Sequence, residues 1–246
     1  MSLVINPEGS PVHYPKRDVF EFDAEVAAIF ENMAQRSIPM YPEVHRLHVS
    51  LLMPKIASGD CTISDIGAST GKLFRTLRTK FEVASLAEVK GLKCYAYDNS
   101  FPMLEKLRAE FPEVNSSFLD VSAPTVPHAP SDIVTMFYVL QFIEPARKYN
   151  ALQWIFDNLK GRGVLVLGQK DRMDSGNDDA FQDEYVRFRL ANGYTMEEIQ
   201  AKTAALKGAQ WLLTQPVLVN MLLEIGFSRV YETTRWLNFS TIVAHK

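Results

Sequence analysis

The sequence has few of the features that mark secreted or membrane-spanning proteins. Only two of its 246 residues are cysteines, Cys61 and Cys94, which excludes a disulfide framework and predicts a reducing compartment. No uninterrupted apolar run approaches the roughly 18 residues that a membrane helix needs. Pro7, Pro11 and Pro15 occupy the stretch where a secretory signal would need its apolar segment. The expected location is therefore the cytoplasm.

A large excess of one charge is also missing. The chain has 26 Lys+Arg against 29 Asp+Glu, a net charge of −3, whereas a general binder of nucleic-acid phosphates carries a marked basic excess. A small-molecule substrate is therefore expected, rather than a nucleic acid as direct partner. His45 and His48 lie one helical turn apart without an acidic partner at metal spacing, so we interpret them as surface or packing histidines. No metal site is predicted.

From Cys61 onward, the sequence alternates strand-like apolar runs with amphipathic helical segments. This alternation is typical of βαβ units and of a doubly wound, mostly parallel sheet in an α/β, Rossmann-like fold. The end of the chain differs, because Arg229–Trp236 and Asn238–His245 predict an antiparallel hairpin at the sheet edge. The strands predicted before it are Cys61–Ile66, Leu92–Tyr97, Ser117–Leu119, Asp132–Tyr138 and Val164–Leu167.

The regions outside this alternation predict the domain organisation. Residues 1–19 are proline-rich and lack periodicity, so we interpret them as an N-terminal arm. Helical periodicity then predicts one helix with Asp23 as its N-cap and a second that ends before Pro54. The segment 171–215 is too long for a simple connection, and it predicts a helical insertion beside the active-site edge. Residues 20–246 are expected to form one domain.

A glycine loop follows the first predicted strand and opens a helix. Asp65, Gly67 and Gly71 form an Asp-x-Gly-x-x-x-Gly pattern, in which Gly67 serves a sharp turn and Gly71 a close approach of helix and strand. Ser69 breaks the dinucleotide fingerprint, and the glycines are too close together for a P-loop. The pattern is the form seen in nucleoside-binding folds that hold S-adenosylmethionine. The alternative is a structural turn that binds nothing.

Acidic residues end the next two strands. Asp98 follows the second strand, where a carboxylate can accept both hydrogen bonds of a ribose diol. Asp120 follows the third strand, where it can accept from an adenine amino group beside the apolar Val121. Together with the glycine loop, Asp98 favours a nucleoside cofactor. The alternatives are an ordinary turn before a helix for Asp98 and a surface turn for Asp120.

Four longer runs stand out in the sequence, and the first and the last of them are far more specific than the glycine loop. They are Gln-Arg-Ser-Ile-Pro at 35–39, Tyr-Asp-Asn-Ser at 97–100, Leu-Gln-Phe-Ile-Glu-Pro at 140–145 and Ala-Asn-Gly-Tyr at 191–194. Over nearly the whole chain from residue 20, the sequence resembles the carboxy-S-adenosyl-L-methionine synthase family, which has the class I methyltransferase fold. An enzyme of that family makes carboxy-S-adenosylmethionine and phenylpyruvate from S-adenosylmethionine and prephenate. Its product serves a partner enzyme that modifies the wobble uridine of tRNA, and the resemblance also implies a homodimer.

The resemblance implies a cofactor site for S-adenosylmethionine or its carboxy derivative. Asp65, Gly71 and Phe137 belong to this predicted site through the glycine loop and the fourth strand. The implied contacts are Tyr41 closing over the cofactor, Gly67, Ala68 and Ser69 along its methionine part, Asp98 and Asn99 at ribose and adenine, and Asp120 and Val121 at the adenine end.

Three positions depart from the family pattern. Phe137 stands where the family has an asparagine, and Ala68 where it has a cysteine. Thr203, preceded by Lys202, stands where the family has the arginine that holds the carboxylate of carboxy-S-adenosylmethionine. A threonine cannot supply the bidentate pairing of a guanidinium, and a lysine offers only a point charge. We therefore predict a methyltransferase that acts on a small-molecule or nucleoside acceptor.

Two other functions stay open at this point. One is a true carboxy-S-adenosylmethionine synthase, in which Arg187 or Arg189 replaces the missing arginine. The other is a non-catalytic subunit that binds S-adenosylmethionine and supports a partner. A solvated helix face is the alternative for both arginines, and Arg36 either lines the acceptor side or ties the N-terminal helices to the insertion. The candidate catalytic or acceptor-lining residues are Tyr41, Tyr138, Gln141, Arg187 and Arg189, with Arg36 and Tyr194 as further lining candidates.

Overall fold

The computed structural model describes residues 21–173 and 178–246, so the arm predicted at 1–19 lies outside the described residues. One seven-stranded sheet has the order β3-β2-β1-β4-β5-β7-β6, in which β1 to β5 run parallel and β7 lies antiparallel between β5 and β6. The predicted α/β fold with a C-terminal antiparallel hairpin is confirmed. The strands are β1 (Cys61–Ile66), β2 (Leu92–Asp98), β3 (Asn115–Phe118), β4 (Ser131–Phe137), β5 (Leu159–Lys170), β6 (Arg229–Trp236) and β7 (Phe239–His245).

Eight helices surround this sheet within the described ranges, and none of those eight is long and apolar enough to cross a membrane. Asp23 caps α1 as predicted, because its carboxylate accepts from the Val26 N–H at 3.0 Å. The helices are α1 (Ala24–Ser37), α2 (Tyr41–Ile56), α3 (Lys72–Phe81), α4 (Phe101–Glu110), α5 (Pro145–Asn158), α6 (Asp178–Ala191), α7 (Met196–Ala205) and α8 (Gln215–Ile225).

Several element boundaries differ from the sequence prediction, and two of them have a local cause. Helix α2 continues past Pro54 to Ile56, because proline in the last turn removes only one backbone donor while Ile56 gains a buried position. Strand β4 ends at Phe137 rather than Tyr138, since Tyr138 turns to a φ of +61° and leaves the strand. Helix α8 is missing from the predicted elements, although Leu218 and Leu222 give it a buried helical stripe.

The central strands of the sheet are buried on both faces, as expected for parallel strands covered by helices on each side. Successive residues such as Ile133 and Val134 in β4 point to opposite faces and belong to different core clusters. One cluster packs against α2, α3 and α4, and the other packs against α5 and α8. The polar residues at the carboxyl ends of β1, β2 and β4 are thereby left at one edge of the sheet.

The predicted insertion supplies the cover for that edge. It contains α6 and α7, which pack against α1 through a cluster that includes Val26, Met33, Tyr194 and Ile199. Arg36 of α1 fastens this contact by donating from Nε to the Asn192 carbonyl at 2.8 Å and from Nη2 to the Gly193 carbonyl at 2.5 Å. Arg36 therefore ties the N-terminal helices to the insertion, which is one of its two predicted roles.

Candidate functional site

A cavity of about 990 Å³ lies at the carboxyl ends of β1, β2 and β4 and beneath α1, α2, α6 and α7. Strand order reverses here, because β1 lies between β2 and β4, and open α/β sheets bind ligands at such a point. Most of the predicted site residues meet in this cavity. Those that line it are Tyr41, Asp65, Gly67, Ala68, Ser69, Asp98, Asn99, Asp120, Val121, Phe137, Tyr138, Gln141 and Arg189.

Four other predicted residues are not among those that line the cavity. Gly71 packs against Phe111 instead, and a Cβ at Gly71 would lie 2.8 Å from the Phe111 ring. Arg187 is exposed and pairs with Glu184 at 3.1 Å, because two residues along a helix point in nearly opposite directions and only Arg189 faces inward. Its predicted acceptor-lining role is therefore wrong. The remaining two, which pack between α1 and the insertion, are Arg36 and Tyr194.

The glycine loop is fixed to the neighbouring strand. The N–H groups of Gly67 and Ala68 both donate to the Tyr97 carbonyl, at 2.7 and 3.0 Å. Gly67 has a φ of +73°, and a Cβ there would lie 2.1 Å from a methyl carbon of Val139. Only glycine fits that position without displacing Val139, so the loop brings its backbone directly against the cavity.

Asp98 joins the loop to the start of α4. One carboxylate oxygen accepts from the Ser69 N–H at 2.8 Å, and the other accepts from the Ser100 N–H at 2.9 Å. Burial raises the pKa of the Asp98 carboxyl, and these backbone hydrogen bonds oppose that effect. The predicted turn is thus present. The carboxylate also lines the cavity, where each oxygen has a further lone pair for a hydroxyl donor.

Two more carboxyls of the cavity have different surroundings. Asp120 accepts from the Ser122 N–H at 2.9 Å, so it forms a turn beside the buried Val121. Asp65 is buried and accepts from the Thr135 hydroxyl at 2.7 Å. Burial, together with the nearby charge of Asp98, raises the pKa of Asp65 to about 7. A cation that enters beside Asp65 would favour its ionised form.

Aromatic side chains form one wall of the cavity. The ring centre of His45 lies 4.7 Å from that of Tyr41 and 4.5 Å from that of Phe137, and Tyr138 follows at 6.1 Å from Tyr41. Burial lowers the pKa of His45 to about 4, so its imidazole is neutral at pH 7. His45 and His48 are both buried packing residues. The sequence analysis missed His45 as a cavity residue, although its place four residues after Tyr41 puts both on one helix face.

Three cations also line the cavity, and we call Lys170, Arg189 and Lys202 the cationic corner. The Lys170 ammonium lies 4.6 Å and the Arg189 guanidinium 4.2 Å from the centre of the Tyr185 ring. The Lys202 ammonium donates to the Ser37 hydroxyl at 2.8 Å. Burial lowers the pKa of Lys170 to about 8 and of Lys202 to about 7, and the charge of Arg189 adds to both shifts.

Thr203 also lines the cavity, next to the cationic corner. Its hydroxyl donates to the Ile199 carbonyl at 2.7 Å within α7.

Lys170 was missed by the sequence analysis, and the signal was its place at the carboxyl end of a central strand. Gln141 holds that strand end, because its side-chain oxygen accepts from the Lys170 N–H at 2.9 Å.

Comparison with curated proteins finds relatives along almost the whole chain. The carboxy-S-adenosyl-L-methionine synthase of Helicobacter hepaticus is 34% identical over 242 residues, which cover 94% of this chain and 98% of the relative. The synthases of Campylobacter jejuni and Wolinella succinogenes are 32% and 31% identical, and the matches cover 94% and 92% of this chain. No family model matches the sequence.

Solved structures share the fold at much lower identity. Magnesium protoporphyrin IX methyltransferase from Synechocystis, solved with bound SAH, superimposes with a TM-score of 0.59 at 12% identity, over 87% of each chain. The S-adenosylmethionine-dependent methyltransferase SibL superimposes with a TM-score of 0.59 at 16% identity, over 95% of this chain and 63% of that one. These structures support the class I methyltransferase fold.

Proposed function

The chain belongs to the carboxy-S-adenosyl-L-methionine synthase family, and from this premise we propose that it is an S-adenosylmethionine-dependent transferase acting on a small molecule. One observation carries the proposal: the glycine loop and Asp98 lie on one side of a single cavity, and the aromatic wall and the cationic corner complete it. The first two suit a nucleoside cofactor. The rest leaves a covered chamber for a second substrate beside it.

The residues present fit S-adenosylmethionine. Asp98 can accept from the ribose hydroxyls, and Asp120 with Val121 suits the adenine. Asp65, held near neutrality by burial, is available to receive the ammonium of the methionine part, which would restore its charge. When bound, the sulfonium supplies an activated carbon, so the protein mainly aligns the acceptor and excludes water.

Methyl transfer is our first candidate reaction. The arginine that holds a carboxylate in the resembled family is replaced by Thr203, whose hydroxyl is engaged by the Ile199 carbonyl. That position therefore offers no positive charge to a carboxylate on the transferred carbon. An in-line methyl transfer needs no such charge, since no new carboxylate forms.

Carboxy-S-adenosylmethionine synthesis is the second candidate, and Arg189 favours it. Arg189 is only 6% exposed, and its buried Nε has no hydrogen-bond partner among the described residues. It could therefore take the role of the missing arginine. The curated relatives that carry this name support the same candidate.

Mass spectrometry of the reaction products tests the proposal. The protein is incubated with S-adenosylmethionine, with and without prephenate, and the Asp98→Asn variant serves as a control with weakened cofactor binding. If the protein is a methyltransferase, no carboxy-S-adenosylmethionine should form. If carboxy-S-adenosylmethionine forms in the presence of prephenate, the synthase reaction replaces methyl transfer as the proposed reaction. Binding without turnover on any acceptor would instead favour a non-catalytic subunit.

The oligomeric state, the location and the pathway of the protein are also part of our proposal. We infer a cytoplasmic homodimer without direct nucleic-acid contact, supported by the family resemblance and by the net charge of −3. A role in tRNA wobble-uridine modification follows only if carboxy-S-adenosylmethionine is the product. Size-exclusion chromatography with light scattering tests the dimer, and a monomer at micromolar concentration would contradict it.

A further inference from the structure

The aromatic wall of the cavity consists of Tyr41, His45, Phe137 and Tyr138, and it contains polar atoms that the protein leaves unpaired. Tyr41, His45 and Tyr138 line the cavity and are each more than nine-tenths buried. No described residue forms a hydrogen bond with either tyrosine hydroxyl or with Nε2 of the imidazole. Buried polar side chains are hydrogen-bonded in the large majority of cases. Three unpaired polar atoms in one wall therefore indicate a ligand that pairs with them.

The imidazole of His45 has a fixed tautomer. Its Nδ1 lies 2.8 Å from the carbonyl oxygen of Tyr41, and a carbonyl oxygen can only accept, so Nδ1 carries the proton and donates it. Burial lowers the pKa of His45 to about 4, so the ring is neutral at pH 7. In a neutral imidazole that is protonated at Nδ1, Nε2 has a lone pair and no hydrogen. His45 therefore adds a hydrogen-bond acceptor to the lining of the cavity.

His48, three residues further along α2, shows the pattern of a histidine with a structural role alone. Its Nδ1 donates to the Val44 carbonyl at 2.7 Å, and its Nε2 lies 2.8 Å from the Thr233 hydroxyl. Both ring nitrogens of His48 thus have partners within the protein, and His48 is not among the residues that line the cavity. His45 repeats the backbone contact at Nδ1 but has no protein partner at Nε2. This difference is the one expected if Nε2 of His45 serves a ligand.

The cofactor has other acceptors for its own donors. In the proposed binding mode, Asp98 accepts from the ribose hydroxyls, Asp120 from the adenine amino group and Asp65 from the ammonium. The imidazole is therefore left for the second substrate. Its ring centre lies 4.5 Å from that of Phe137 and 4.7 Å from that of Tyr41, so flat apolar surface surrounds it. A hydroxyl or N–H group attached to a ring matches both the acceptor and this surface.

We propose that His45 binds the second substrate by accepting a hydrogen bond from a hydroxyl or N–H group of that substrate. The second substrate is thereby assigned to ring compounds that carry such a donor. The inference rests on the proposed function, because this substrate shares the cavity with S-adenosylmethionine. A site built around a buried acceptor rejects analogues that lack the donor, because the acceptor is then left unpaired. His45 is thus a residue that determines specificity.

Equilibrium dialysis with 2-naphthol and 2-methoxynaphthalene tests the inference on the full chain at pH 7, in the presence of saturating SAH. The two probes share the ring and the oxygen atom, and only 2-naphthol has the O–H donor. We expect 2-naphthol to bind at least about tenfold more tightly, because 2-methoxynaphthalene leaves Nε2 of His45 unpaired.

Substitutions at His45 assign this preference to the imidazole. His45→Phe keeps a flat ring in the wall and removes both nitrogens, so the preference for 2-naphthol should fall by about tenfold. His45→Gln supplies an amide oxygen as an acceptor and should keep part of the preference. His245→Gln is the control, because His245 ends β7 and is not among the residues that line the cavity. It should leave the preference unchanged.

The outcomes separate the inference from the proposed function. The inference is wrong, and the cofactor site stands, if SAH binds but 2-naphthol does not, if the two probes bind equally, or if His45→Phe keeps the full preference. If SAH itself fails to bind, the proposed function fails, and the same comparison of probes without SAH then decides the role of His45.

Nitrogen NMR of the unaltered chain, labelled at histidine, does not depend on the variants folding. The Nε2 signal of one histidine should shift when 2-naphthol is added, because a nitrogen lone pair that accepts a hydrogen bond changes its electronic surroundings. The same signal should stay in place when 2-methoxynaphthalene is added. If 2-naphthol shifts no histidine signal, the inference is overturned.

Discussion

Asp98 shows how one side chain combines a structural and a binding role. Its two oxygens hold the Ser69 and Ser100 N–H groups, so the carboxylate sets both the glycine loop and the start of α4. Asp98 also lines the cavity. A neutral amide would keep one acceptor and lose the other. The binding role of Asp98 is therefore testable by a change that keeps its shape.

Asp98→Asn should weaken S-adenosylmethionine binding about tenfold to a hundredfold. Hydrogen bonds to a charged group are worth about 1.5–3 kcal/mol, and the substitution removes the charge. Titration calorimetry measures the change, with Asp157→Asn on the exposed side of α5 as the control. Equal affinity in the two variants would contradict a ribose contact at Asp98.

Lys202→Met should raise the melting temperature at pH 6 by several degrees. The pKa of Lys202 is lowered to about 7 in the folded chain, so the unfolded chain binds more protons between pH 7 and about 10.5. The free energy of unfolding therefore rises with pH between 7 and about 10.5. Below pH 7 the folded chain bears the full cost of burying the charge of Lys202. For a chain of this size about 1 kcal/mol shifts the melting temperature by 2–4 °C.

The control for this prediction is the pH series itself. The gain from Lys202→Met should shrink as the pH rises from 7 to 10, because the cost of keeping the buried lysine neutral falls as the pH approaches its pKa of about 10.5 in the unfolded chain. Differential scanning fluorimetry of the variant, the unaltered chain and Lys90→Met gives the three curves. A gain that stays constant with pH would show that packing, rather than charge burial, sets the effect.

At the scale of elements, the glycine loop depends on its backbone. Gly67→Ala should destabilise the chain by about 1–3 kcal/mol, because a positive φ and a methyl group 2.1 Å from Val139 both oppose the native loop. S-adenosylmethionine binding should fall with it. Gly161→Ala is the matched control, since no atom lies within 4 Å of its added Cβ. Thermal unfolding of both variants decides the point, and equal stability would contradict this account of the loop.

The contact between α1 and the insertion depends on Arg36. Arg36→Ala removes two hydrogen bonds to the carbonyls of Asn192 and Gly193, and the stack of the guanidinium 4.1 Å above the Tyr194 ring. Hydrogen exchange should accelerate at least tenfold across residues 191–195, while the strands keep their protection. Arg46→Ala, an exposed change on α2, should alter neither region. Unchanged exchange at 191–195 would show that packing alone holds the insertion.

The hydrophobic pattern of the sequence predicts strand bounds well where the burial of apolar side chains alone determines the strand. The bounds of β1 and β6 agree with the prediction, while β5 was predicted only over Val164–Leu167 and extends to Lys170. Its last residues are polar, and pairing with β7 holds them in the strand, with Lys170 opposite Phe239. A contact between strands so distant in sequence leaves no local pattern. Lys170 was therefore missed as a cavity residue for the same reason that its strand was cut short.

At the scale of the whole molecule, the charge of −3 hides an uneven distribution. The cationic corner collects buried positive groups in one cavity, and Asp65 and Asp98 line the same cavity. The net charge predicts a small-molecule substrate, and a cavity of about 990 Å³ is consistent with that prediction. The gathering of the three cations could not be predicted from the sequence, since they come from residues 170, 189 and 202.

The cofactor part of the site was the more predictable half. Its residues follow strand ends in one continuous stretch of βαβ units, so sequence order already placed them at one edge. The acceptor half is built from α1, α2 and the insertion, whose packing has no local signature. Sequence reasoning could not choose between Arg187 and Arg189 until the orientation of α6 was known.

Titration of the unaltered chain with S-adenosylmethionine tests the central claim most directly. The account predicts saturable binding at one site, weakened at least tenfold in Asp98→Asn and in Gly67→Ala and unchanged in Asp157→Asn and Gly161→Ala. Absence of binding to the folded chain, or binding that the Asp98 and Gly67 variants leave unchanged, would contradict it.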